Sequence, residues 1–115
     1  MLEFARLRTT EAHDSLRFTA DRGISDSQRA LQGAVIALAR AAGAPDLPTG
    51  VVNAIAAVQQ HSTVAIDVLE AVKALPQSPV QRGLYVDAVR GQLTRNLDRI
   101  DALRERLAPP PAPEA

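Results

Sequence analysis

The chain has 115 residues and carries 13 basic and 13 acidic side chains, so its formal net charge is zero. A chain of this length predicts one domain that buries roughly two-thirds of its unfolded surface. The absence of cysteine excludes a disulfide framework and a thiolate zinc site. The charge balance gives no general attraction for nucleic acid or for an anionic membrane.

The basic residues are almost all arginine, since Lys73 is the single lysine among the 13. This bias, together with the abundant alanine, is typical of GC-rich bacterial or bacteriophage genes. Residues 1–8 alternate charged and apolar side chains and contain no apolar run of the kind found in signal peptides. We therefore expect a cytoplasmic protein.

Glycine and proline divide the chain into segments that we expect to be helical. Gly23 and Gly43 are predicted to end the first two helices in the left-handed region, and Pro76 ends the third. Residues 1–8 either extend the first helix or lie across the others. The predicted helices span 9–22, 26–42, 48–75 and 79–107.

The predicted helix starts carry capping signals. Ser25 with Gln28 and Ser78 with Gln81 have the spacing of capping boxes, and Pro79 adds the preference of proline for the first helical position. The start of the third helix is less sharp, and either Asp46 or Thr49 is a candidate cap.

Apolar residues mark the buried side of each predicted helix. The first helix has a short line at Ala12, Leu16 and Ala20, with Phe18 to one side. The second has many small residues around Gly33, which predicts close packing against the third helix. The third and fourth carry heptad-like seams: Val51, Ile55, Val58, Ser62, Ala65, Leu69 and Val72; and Val86, Val89, Leu93, Asn96, Ile100, Leu103 and Leu107.

No segment alternates apolar and polar residues with the period of a strand. The sequence therefore predicts an all-α fold, an antiparallel bundle of three or four helices. Residues 1–107 form its single domain, and residues 108–115 form a disordered, Pro-rich tail.

One stretch of the third helix is unusual because residues 47–66 contain no formal charge. Its 20 residues match the length of a membrane span, but its polar side chains and the lack of a basic flank argue against insertion. We expect it to be buried in the bundle or against another subunit. The candidate interaction surface comprises Val52, Gln59, His61, Val64, Ile66 and the polar seam residue Asn96.

Catalytic and metal-binding patterns are weak. Neither His13 nor His61 has the glutamate three residues earlier that di-metal bundles use, and no phosphate-binding loop or nucleophile motif occurs. We expect no metal and no cofactor. His13-Asp14-Ser15-Leu16-Arg17 resembles the histidine-acidic start of phosphotransfer helices in sensor kinases, although the Thr or Asn and the following Pro of that family are absent. The resemblance implies His13 as a phosphoacceptor.

The arginines of the fourth helix are interleaved with acidic residues, which is the pattern of a solvated face. Nucleic-acid binding is therefore not favoured. The sequence favours a non-enzymatic, self-associating interaction module, such as a bacterial or phage adaptor, chaperone or assembly protein. A histidine phosphotransfer bundle and a DNA-associated regulator are the alternatives.

Overall fold

The computed structural model of the chain describes residues 1–17 and 19–108. Over these residues it contains four α-helices and no strand, so the all-α prediction is confirmed. Phe18 and, apart from Ala108, the predicted Pro-rich tail lie outside the described residues. The helices are α1 (Leu2–Ser15), α2 (Asp21–Ala42), α3 (Thr49–Ala74) and α4 (Pro79–Leu107).

Helix α4 begins and ends where the sequence predicts. The Ser78 side chain accepts a hydrogen bond from the backbone N–H of Gln81, and the Gln81 side chain accepts one from the Ser78 N–H. This reciprocal pair satisfies two N–H groups that the first turn leaves without helical partners. Pro79 follows at the first helical position, where its missing donor costs nothing.

The boundary between the first two helices differs from the prediction. Helix α1 starts at Leu2, so residues 1–8 extend it, and the break falls at Leu16–Ala20. Gly23 does not end a helix: it lies in the first turn of α2, where glycine is tolerated. The predicted capping box at Ser25 is also wrong, since Ala20 occupies the N-cap and provides no side-chain hydrogen bond.

The turn between α2 and α3 also corrects the sequence reading. Gly43 follows α2 as predicted, but its backbone is right-handed (φ −82°, ψ −2°) rather than left-handed. Asp46 takes the left-handed conformation instead, at φ 63°, which aspartate tolerates better than most residues. Pro48 is the N-cap of α3, so neither Asp46 nor Thr49 caps that helix.

Each helix packs against two others: α1 and α3 both contact α2 and α4. Neighbouring helices run in opposite directions, as their cross-helix contacts indicate. Ser27 near the start of α2 donates to the carbonyl of Ala12 near the end of α1, and Arg6 early in α1 pairs with Asp101 late in α4. The result is a bundle-like arrangement in which every helix keeps one side toward solvent.

The core lies between all four helices, and the predicted seams of α3 and α4 contribute to it. All seven predicted α3 seam residues are buried. In α4, Val86, Val89, Leu93, Asn96, Ile100 and Leu103 are buried, whereas Leu107 is 39% exposed and Ala20 of the α1 line is exposed. We use "seam" below for these buried residues of α3 and α4.

Gly33 packs against a different helix from the one predicted. A Cβ atom at this position would lie 2.7 Å from Nε of Arg8, so the neighbour of Gly33 is α1 rather than α3. The contact is with the end of a flexible side chain, and the close backbone approach that the small residues suggested does not occur at Gly33.

Candidate interaction surfaces

The two flanks of α3 face different neighbours. Successive helical residues are about 100° apart, so residues that follow seam positions lie on one flank and those that precede them lie on the other. On the following flank, the Gln28 side chain of α2 donates to the Ile66 carbonyl at 3.1 Å and to Glu70 Oε2 at 2.9 Å. That flank therefore borders α2, and the preceding flank borders α4.

The α2–α3 side carries a surface without formal charge. Residues 30–39 of α2 and residues 47–66 of α3 contain no Asp, Glu, Lys or Arg. The two stretches run alongside each other, because Gln28 is level with Ile66 and the helices are antiparallel. We call this surface the uncharged face; its exposed or half-buried members are Gln32, Val35, Ile36, Ala39, Val52, Ala56, Gln59, Thr63 and Ile66.

Side-chain size on the uncharged face is small to medium. Ile36 is 55% exposed and is the largest exposed apolar side chain on this face. Ala39 and Ala56 are exposed, while Ile66 is partly buried against the core. Such a surface allows another helix to approach closely, and low charge at the centre is what distinguishes protein interfaces from the remaining surface.

The opposite side of the molecule, between α1 and α4, is held by ion pairs. Arg6 Nε lies 2.7 Å from Asp101 Oδ1, and Arg104 lies 3.7 Å from Glu3. The hydrogen bond and positive charge of Arg6 hold the pKa of Asp101 below its ordinary value, and the pKa of Arg6 is raised in turn. Charge is thus concentrated on the side opposite the uncharged face.

The six predicted surface residues do not form one surface. Val52, Gln59 and Ile66 follow seam positions and lie on the uncharged face. His61 and Val64 precede seam positions and lie toward α4. Asn96 is completely buried, so it is not available to a partner on the surface of this chain.

Asn96 belongs to a polar layer inside the molecule. Its amide donates to Ser62 Oγ at 3.4 Å, and its oxygen accepts from Gln92 at 3.2 Å and from Arg99 at 3.4 Å. Ser62 itself donates to the Val58 carbonyl at 2.9 Å. The layer ties the middle of α3 to the middle of α4.

Sequence reasoning missed Ile36, Ala39 and Ala56. The available signal was the run of residues 30–39, which is free of charge between Arg29 and Arg40. That run indicates a second neutral helix segment, but only the register between α2 and α3 shows that the two segments meet.

His13 lies apart from the uncharged face. Its ring Nδ1 is 3.2 Å from Asp14 Oδ1, and the side chain is 25% exposed. Within residues 1–17 and 19–108, no three His, Asp or Glu side chains are placed to hold a metal ion. The described helices also include none with the length and apolarity of a membrane span.

Two grooves open elsewhere on the surface, one between α1 and the start of α2 and one where residues 1–3 meet residues 101–108. A groove of about 760 Å³ between α1 and the start of α2 is lined by both signs of charge, with Arg8, Arg17, Arg22 and Arg29 against Glu11, Asp14 and Asp26. Mixed charge of this kind creates no single-sign field to attract a charged substrate.

Comparison of the chain with protein-family models, curated proteins and solved structures finds no match.

Proposed function

We propose that the chain is a non-enzymatic interaction module whose antiparallel helical bundle self-associates through the uncharged face. The protein would serve as an adaptor, chaperone or assembly component, in a bacterium or a bacteriophage. The observation that carries the proposal is the meeting of residues 30–39 and 47–66, the two charge-free helical stretches, on one exposed side.

A second copy of the chain suits this face because symmetric dimers place one patch against itself. A patch with a net charge would then meet the same charge, and this repulsion is absent from a neutral patch. The exposed alanines at positions 39 and 56 also let two helix pairs approach closely. Ile36 provides an apolar side chain to bury.

The dimensions of the uncharged face correspond to a small interface. At 1.5 Å per residue, residues 49–66 of α3 are about 27 Å long and residues 30–39 of α2 are about 15 Å long. Each helix is about 10 Å wide. The footprint is therefore about 400 Å² per copy and about 800 Å² in total, which is the size of weak, transient contacts. We expect a reversible dimer rather than a permanent one.

The test is sedimentation velocity on the full chain over a concentration series up to about 100 μM. Ile36→Glu places a charge at the centre of the face, and we expect it to shift the dimer to monomer at concentrations where the parent chain associates. Leu7→Glu is the matched control: Leu7 is 53% exposed, close to the 55% of Ile36, and lies on α1.

A strictly monomeric parent chain at about 100 μM would remove self-association from the proposal. A dimer that persists in Ile36→Glu, or that Leu7→Glu dissociates equally, would assign the contact to another surface. Circular dichroism at 222 nm checks that both variants keep their helices, which we expect because both positions are exposed.

A further inference from the structure

Helix α4 carries a second stripe beside its buried seam. The residues that precede the seam positions recur at intervals of three and four and thus share one flank. They are Tyr85, Ala88, Gln92, Arg95, Arg99 and Ala102, and Arg106 continues the spacing. Tyr85 is 51% exposed, and Ala88, Arg95, Arg99, Ala102 and Arg106 are also exposed.

This stripe borders α3 rather than α1. The opposite flank of α4 holds Asp101 and Arg104, which pair with Arg6 and Glu3 of α1. The preceding flank of α3 likewise points away from α2. The two preceding flanks therefore line one groove on the outside of α3 and α4, which we call the α3–α4 groove.

Charge is segregated around α4, although it alternates along its sequence. Asp87, Asp98, Asp101 and Glu105 all lie on the flank toward α1 or beside it. Arg95, Arg99 and Arg106 share the other flank, and no carboxylate within residues 1–17 and 19–108 lies within salt-bridge distance of them. Arg95 and Arg99 donate only to the neutral oxygens of Gln92 and Asn96. The interleaving along the sequence therefore becomes a separation of charge around the helix axis.

The other end of the α3–α4 groove is apolar. Val64 and Val68 recur on the preceding flank of α3 and are 52% and 39% exposed, and Leu75, the C-cap residue just beyond the helix, is 61% exposed. The contact of Ser62 with Asn96 shows the register of the antiparallel pair and makes Tyr85 level with residues 71–75. The same register makes Val64 level with Arg95. The half of the groove toward Tyr85 thus offers apolar side chains, and the half toward Arg106 offers three arginines.

We propose that the α3–α4 groove binds an acidic amphipathic helix of a partner protein. Leucine-like side chains of that helix pack on Val64, Val68 and Tyr85, and its carboxylates pair with Arg95, Arg99 and Arg106. Arginine forms bidentate hydrogen bonds with carboxylates, and apolar grooves bind helices through residues spaced three and four apart.

The length of the groove sets the size of the partner segment. From Tyr85 to Arg106 the stripe extends over about 32 Å, which corresponds to a helix of about 20 residues. A nucleic acid would use the arginines alone and leave the apolar end of the groove uncovered, so the combined surface favours a peptide. The site is separate from the uncharged face, and its occupation does not require self-association.

The test is fluorescence anisotropy with a labelled synthetic peptide of about 20 residues, leucine on one helical stripe and glutamate on the next. We expect saturable binding to the full chain. The double variant Arg95→Gln/Arg99→Gln should weaken it at least tenfold, and Val68→Glu should weaken it to a similar degree. Arg22→Gln is the control, since Arg22 is an exposed arginine of α2 away from the groove.

Several results would overturn the proposal. These are failure of the acidic peptide to bind, equal binding of a peptide with lysine in place of glutamate, and equal loss of binding in Arg22→Gln. Tighter binding of a 20-base-pair DNA duplex, abolished by the same double variant, would reassign the groove to nucleic acid. Circular dichroism of each variant distinguishes a lost contact from a lost fold.

Discussion

Asn96 illustrates how a single residue is misjudged from sequence. The heptad spacing places it in the α4 seam. An asparagine at such a position is compatible with a solvent-exposed edge of the bundle, with a position that sets the register, or with a surface that binds a partner. The contacts with Ser62 and Gln92 and the complete burial of the side chain place it inside the chain. The burial of Asn96 depends on how closely α3 approaches α4, and the periodicity of the α4 sequence contains no information about that distance.

Replacement of Asn96 by leucine should leave the stability unchanged or raise it. Ser62 keeps its bond to the Val58 carbonyl, and Gln92 and Arg99 are near enough to the surface to bond to water. No orphaned polar group results, and an apolar side chain is buried. Asn96→Asp should instead lower the melting temperature, because it buries a carboxylate.

Thermal unfolding followed at 222 nm measures both Asn96 variants. For a domain of this size about 1 kcal/mol corresponds to roughly 4–8 °C. A fall of more than about 10 °C in Asn96→Leu would contradict the prediction. It would mean that the polar layer, despite its long hydrogen bonds, holds α3 and α4 in register.

At the scale of elements, the sequence identifies α3 and α4 well and the first two helices poorly. Both long helices are bounded by proline, and their seams continue without a break. Between α1 and α2 the sequence signals are misleading. Gly23 resembles a helix end and Ser25 a helix start, yet both residues lie within α2. The break at Leu16–Ala20 contains neither glycine nor proline. The bond from Ser27 to the Ala12 carbonyl, a tertiary contact, helps fix this corner.

The two predicted capping boxes provide a direct comparison. Ser78→Ala removes the acceptor for the Gln81 N–H and should cost about 1 kcal/mol of unfolding free energy. Ser25→Ala should cost less than about 0.5 kcal/mol, because Ser25 lies within α2 and its hydroxyl only accepts from Lys73. Urea denaturation of both variants checks the difference. Equal costs would contradict the assignment of the α4 cap.

At the scale of the whole molecule, the sequence predicts a neutral surface but not its composition. The charge-free run of residues 47–66 predicts burial, but within the chain only its seam residues are buried, and Ala56, Gln60 and Val64 are exposed. Its two flanks, however, belong to different surfaces, and only the packing of α2 and α4 shows which residues belong to which. The arginine stripe of α4 is hidden in sequence for a related reason: acidic and basic residues that alternate along the chain separate around the helix axis.

Acid should weaken the α1–α4 side. The folded-state pKa of Asp101 lies below the ordinary value of 3.8 because Arg6 donates a hydrogen bond to the carboxylate. The stabilisation from this pair is therefore complete above about pH 4 and is lost as the pH falls through the folded-state pKa. The urea midpoint of Asp101→Asn should therefore fall less between pH 7 and pH 3 than the midpoint of the parent chain.

Asp98→Asn is the control for the acid effect. Asp98 is exposed on the same helix and has no salt-bridge partner within residues 1–17 and 19–108, so its loss should leave the fall in midpoint unchanged. An identical pH dependence in Asp101→Asn and the parent chain would show that the pair with Arg6 contributes nothing measurable. Because Asp101 is 41% exposed, we expect a small effect.

Because charge is divided between the two sides of the molecule, a change in salt concentration affects the α1–α4 side and the uncharged face differently. Added salt screens the exposed pairs between α1 and α4 over a Debye length of about 10 Å at 0.1 M. Sulfate or phosphate strengthens the burial of apolar surface, which favours contact through the uncharged face. Rising concentrations of such salts therefore weaken the ion pairs between α1 and α4, while they strengthen apolar contacts, including association through the uncharged face. The same solvent change acts in opposite directions on two kinds of contact in one small domain.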